Sequence, residues 1–150
     1  MKKSRVGWLL GAWGLLAGVL CFSGRAATAQ AAPSQVQVAR RFLLAVVGGE
    51  WETAYGWLAP EVRQHLSKQQ FQVALQPFQA QAGRYGKAIS LYKLGYRLRG
   101  SETPEPFVGF SFRADTLGPR PRFQLDVTFR DSTARQVQGF GLIPLSGPVK

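Results

Sequence analysis

Residues 122–130 read Arg-Phe-Gln-Leu-Asp-Val-Thr-Phe-Arg. Phe123, Leu125, Val127 and Phe129 alternate without a break with Arg122, Gln124, Asp126, Thr128 and Arg130. That is the two-residue period of a strand with one apolar and one polar face. Such a strand needs partners along its edges and a cover for its apolar side, and the rest of the chain is read for both.

Downstream, Asp131, Ser132 and Thr133 have turn chemistry, and 134–143 is expected to be the last strand, with its phase blurred by Gly139 and Gly141 and its end set by Pro144. Upstream, Val108, Phe110 and Phe112 alternate with Gly109, Ser111 and Arg113, and a loop over 116–121 joins them to the organising strand. Ile89 and Leu91 share one phase, whereas Leu94, Tyr96 and Leu98 share the other, which predicts a bulge near Lys93 in a first strand.

The cover comes from the preceding half. Ser34 is placed to cap a helix in which Val38 or Ala39, then Phe42, Leu43 and Val46, recur at helical spacing, with Gly48 and Gly49 closing it. A short helix follows, with Glu50 and Glu52 at its start and a stripe of Trp51, Ala54, Tyr55 and Leu58; Pro60 opens another through His65. Ser67 and Gln70 form a capping-box pattern before Phe71, Leu75 and Phe78, with Pro77 expected to kink or divide that helix and Gly83 to end it. The predicted class is α+β: N-terminal helices packed on a curved four-stranded antiparallel meander.

The first 31 residues are expected to be a secretory signal peptide. Lys2, Lys3 and Arg5 precede the uncharged run from Val6 to Phe22, and Ala27-Thr28-Ala29 and Ala29-Gln30-Ala31 are overlapping cleavage sites. Glycines within the apolar run and the cleavage sites argue against a retained anchor. A lipoprotein signal would need a small residue where Leu20 precedes Cys21. Cleavage near Ala29 or Ala31 would leave a periplasmic or secreted domain, residues 32–150, without cysteine, and so without disulfides or thiolate zinc sites.

Four of the 19 basic residues and none of the 8 acidic ones precede residue 30, so the remainder keeps a net charge of +7. This favours an acidic protein or polymer as partner, while export argues against nucleic acid.

The order of elements resembles the nuclear transport factor 2-like superfamily, and within it an exported bacterial group named only as domain of unknown function 3887. The residues carrying the resemblance are Ala39-Arg40-Arg41-Phe42-Leu43, Gly49 to Tyr55 with Leu58, Gly83-Arg84-Tyr85-Gly86, and Val137 to Pro144. The resemblance implies a cone, with helices closing the concave face of a bent sheet, and brings no catalytic residues with it. A fold shared by isomerases, dehydratases and non-catalytic modules fixes no activity.

Two constellations are candidates for function. The first is aromatic: Trp51, Tyr55, Tyr96, Phe110 and Phe129 are expected to meet in the cone, with Phe112 and Phe123, and to line a small apolar ligand pocket if the cone is incompletely filled. The second is a basic sheet face of Arg97, Arg99, Arg113 and Arg130, interspersed with Ser111, Gln124, Asp126 and Thr128, on which Asp126 is expected to pair with an arginine. Its charge opposes an extended dimer through that face, and the sequence leaves monomer and dimer open.

Catalytic patterns are weak. His65 stands four residues after Glu61 and could meet it on one helix face; Gly109 to Arg113 begins like a nucleophile elbow but lacks its second glycine. One histidine and scattered carboxylates offer no metal ligand set, and no cofactor-binding glycine loop is present, so neither metal nor cofactor is expected. The expected function is a non-enzymatic binding or accessory module. The alternatives are a small isomerase- or dehydratase-like enzyme using Tyr55, Tyr96 and His65, and an adaptor that binds acidic partners.

Overall fold

The computed structural model describes residues 31–98 and 103–145. Four α-helices are followed by four strands: α1 (Gln35–Gly48), α2 (Trp51–Gly56), α3 (Pro60–His65), α4 (Lys68–Tyr85), β1 (Ile89–Arg97), β2 (Glu105–Phe112), β3 (Phe123–Thr128) and β4 (Gly139–Pro144), with a 3-10 turn at Ala114–Leu117. The strands form one antiparallel meander in the order β1-β2-β3-β4, so the class is α+β. Residues 1–30 of the expected leader, 1–31, and Arg99 lie outside the described residues.

Local chemistry sets the helix ends. Ser34 Oγ accepts from the Gln37 backbone N–H while Gln37 Oε1 accepts from the Ser34 N–H, and Ser67 and Gln70 repeat the arrangement at α4. Each box satisfies donors that the first turn leaves orphaned. Gly49, at φ 84°, closes α1. Helix α4 runs past Gly83, which is not its end; it stops at Gly86, where φ is 81°. Pro77 lies inside α4 without dividing it.

The organising strand behaves as read on its inner side. Leu125, Val127 and Phe129 are buried with Val108, Phe110 and Phe112 of β2, under Phe42, Leu43, Phe71, Leu75 and Phe78 of the helices. Phe140 of β4 closes the cluster, 5.3 Å from the Phe71 ring and 5.6 Å from that of Phe42. The final strand begins at Gly139, later than expected. Before it, Val137 makes a parallel bridge to Leu58, with backbone bonds of 2.9 Å to Trp57 and Ala59.

The outer side departs from the expectation of a wet face. Ser111, Gln124, Asp126 and Thr128 are all buried. Alternation tells which side of a sheet a residue takes, but not how densely that side is packed. Here the register sets Asp126 between Gly109 and Gly141, so no side chain stands beside it on either neighbour. Gln124 lies down over Gly109, at whose Cβ position its Nε2 would be only 2.8 Å away. Arg97 reaches across from β1, passing its guanidinium 4.6 Å from the centroid of the Phe107 ring, and grips Asp126 through bonds of 2.8 and 3.2 Å. Gln124 Nε2 donates to the same carboxylate at 2.7 Å. The Asp126 partnership raises the Arg97 pKa above its ordinary value.

Candidate functional site

The bulge on β1 positions an open apolar surface. Leu91 pairs with Phe110 and Lys93 with Gly109, so Tyr92 is the extra residue and the phase changes as the sequence implied. Beyond it Leu94 faces Val108 and Tyr96 faces Pro106, on the same side as the core. Yet β1 is an edge strand: Ile89 at its start is buried with the apolar residues on the helix side of β2 and β3, while those beyond the bulge are not. Val108 is 3% exposed, whereas Leu94 is 62%, Tyr96 67% and Leu98 69% exposed.

A groove of about 220 Å³ runs between this stretch and the start of α1, lined by Val36, Leu94, Tyr96, Pro106, Val108 and Arg135 among others. A second hollow of about 420 Å³ shares Tyr96 and Ser132 with it. The polar wall is largely committed to holding its own loop. Arg135 Nη1 donates to the carbonyls of Ser132, Thr133 and Ala134, and Gln35 Nε2 donates to those of Asp131 and Ala134. Arg135 Nε, in contrast, is buried without a hydrogen-bond partner.

Asp131 fixes the loop from its other side. Its carboxylate accepts from Thr133 Oγ1 and N, Ala134 N and Arg130 Nε, and these bonds hold its pKa well below the ordinary carboxylate value. A lowered folded-state pKa gives a stabilising contribution that is complete above the unfolded-state value and lost as pH falls toward the folded one. The stability difference between the parent and Asp131→Asn is therefore expected to shrink steadily below about pH 4, measured by urea unfolding at a series of pH values.

The structure does not gather the expected aromatic pocket. Phe110 and Phe129 are buried in the filled core, and Tyr55 packs edge-on against Phe71 at 5.4 Å while its hydroxyl donates to the Leu66 carbonyl at 2.8 Å. Trp51 lines a surface hollow with Val73 and glutamines of α4, and only Tyr96 borders the β1 groove. Rings that share a sheet side interlock when helices cover them, and only the uncovered edge leaves one free. Val36, Leu94 and Arg135 were missed; the phase change at the bulge was the one signal that pointed toward them.

Nor do the three described arginines of that set, Arg97, Arg113 and Arg130, make one basic face. Arg97 is tied to Asp126. Arg113 follows the end of β2, whereas Arg130 follows β3, at the opposite end of the antiparallel pair, where it bonds Asp131 and approaches Glu61 at 3.9 Å. Glu61 thus faces Arg130, and it makes no hydrogen bond with His65. Tyr55 is tied to the end of α3, which carries His65, and Tyr96 stands in a different hollow, so the residues of the enzyme alternative do not converge. Among the described residues no cluster of His, Cys, Asp or Glu could hold a metal, and no helix is long and apolar enough to cross a membrane. No family model, curated protein or solved structure matches the chain.

Proposed function

We propose that the chain is an exported, non-enzymatic binding module that takes a small apolar ligand in the groove beside β1. The observation that carries this reading is the exposed apolar row Leu94, Tyr96 and Leu98, two of whose members, Leu94 and Tyr96, line the groove or its rim. Solvated apolar side chains of this size gain about 1.5–3 kcal/mol each on full burial, and the groove lets one ligand cover two of them. The leader-like pattern of the first 31 residues supports export. Helices followed by an antiparallel meander support the nuclear transport factor 2-like reading.

The test is a fluorescence titration with the neutral apolar probe N-phenyl-1-naphthylamine. Saturable enhancement is expected for the parent, with at least about tenfold weaker binding for Leu94→Ser/Tyr96→Ser, since losing about 1.4 kcal/mol of contact already has that effect. Both positions are exposed, so the variant should retain the parent's cooperative unfolding. Equal binding by parent and variant would exclude the groove.

A further inference from the structure

We infer that the opposite end of the sheet carries a separate site for a phosphate-bearing anion, in the cleft between the C-terminal end of α4 and the connection from β2 to β3. The cleft encloses about 520 Å³ and is lined by Arg84, Tyr85, Asp115, Arg120 and Arg122, with Gly118 and Pro119 in its loop wall. These arginines come from segments far apart in the chain, and the fold brings them to one opening.

Their charge is uncompensated. Among the described residues the ion pairs engage Arg97 and Arg130 alone, and Arg84, Arg120 and Arg122 make no side-chain hydrogen bond. Arg84 instead lies over the Tyr85 ring, 5.5 Å from its centroid. The single acid in the lining, Asp115, is buried and already engaged: its Oδ2 accepts the backbone N–H groups of Arg122 at 2.7 Å and Phe123 at 3.0 Å. That carboxylate ties down the start of β3 and thereby fixes where Arg122 emerges.

Three guanidiniums beside one committed carboxylate call for more than a single negative charge. A monocarboxylate would leave most of the repulsion in place, whereas a phosphate or diphosphate neutralises it and presents the paired oxygens that the guanidinium fork matches. Tyr85 is held rigid, its ring stacked on Phe112 at 5.7 Å and edge-on to Phe123 at 6.1 Å, and it offers a flat wall to an organic group carrying the phosphate. The volume exceeds what a lone phosphate fills and suits a small phosphorylated molecule or a lipid phosphate headgroup.

The experiment follows the melting temperature of the full chain during titration with pyrophosphate, against sodium chloride at matched ionic strength. A saturable rise with pyrophosphate alone is expected for the parent. In Arg120→Ser/Arg122→Ser, both exposed positions, the midpoint should shift at least about tenfold. Arg120→Lys/Arg122→Lys keeps the charge and loses the fork, so it should fall between the two. Flotation with phosphatidate-containing and with phosphatidylcholine vesicles separates the sources. Capture by phosphatidate vesicles that pyrophosphate competes away assigns a headgroup, and no capture assigns a soluble phosphate. An equal rise with sodium chloride, or an unchanged midpoint in the serine variant, overturns the site.

Discussion

Replacing Phe71 with alanine is expected to destabilise the fold by about 4 kcal/mol, a large share of the roughly 5–15 kcal/mol typical of a single domain. Phe71 is fully buried, and its ring meets Phe42 of α1 at 6.4 Å, Tyr55 of α2 at 5.4 Å and Phe140 of β4 at 5.3 Å. Truncation removes the contact that all four elements share, and a rigid surround of three other rings collapses little into the gap. Val73 is two residues on and more than half exposed, so Val73→Ala should change stability by no more than about 0.5 kcal/mol. Urea unfolding of both variants measures the contrast. A loss below about 1 kcal/mol at Phe71 would mean that the aromatic cluster is not what joins helices to sheet.

Replacing Arg97 with alanine is expected to cost about 2–3 kcal/mol, because it leaves the buried Asp126 carboxylate with Gln124 as its remaining side-chain partner. The lower end allows for water reaching the partly exposed Arg97 position, whose side chain is 26% exposed. Contact with the Phe107 ring is lost as well. The double variant Arg97→Ala/Asp126→Ala should be less unstable than the two single losses combined, with a coupling of at least about 1 kcal/mol. Strict additivity in that cycle would show that the pair contributes no specific interaction.

These two sites mark what was legible in the sequence. The inner face was open to reading because Phe123, Leu125, Val127 and Phe129 follow the strand period, and the bulge because the phase of β1 reverses between Leu91 and Leu94. Asp126 was rightly given an arginine partner on the outer side, yet its burial could not be foreseen. That burial depends on Arg97 and Gln124 closing over the carboxylate, with Gly109 across the register leaving the room Gln124 takes, which no single strand reveals. Gly83 and Gly86 are alike as letters, but only Gly86 takes the positive φ that ends α4.

The candidate site was less legible for a related reason. Alternation put Tyr96 on the helix side with Phe110 and Phe129, but how far the helices extend across a sheet is a property of packing, and they cover Ile89 at the start of β1 while leaving Leu94 and Tyr96 open. Arg84, Arg120 and Arg122 were invisible as a group because a helix end and a loop meet only in the folded chain.

The most direct test of the β1 groove is an amide correlation spectrum of the protein titrated with N-phenyl-1-naphthylamine. Binding there is expected to shift the signals of Val36, Leu94, Tyr96, Val108 and Arg135 together, along one saturation curve, leaving Arg120 and Arg122 unmoved. Shifts confined to other surfaces, or none at saturating probe, would contradict the assignment of the groove as a ligand site.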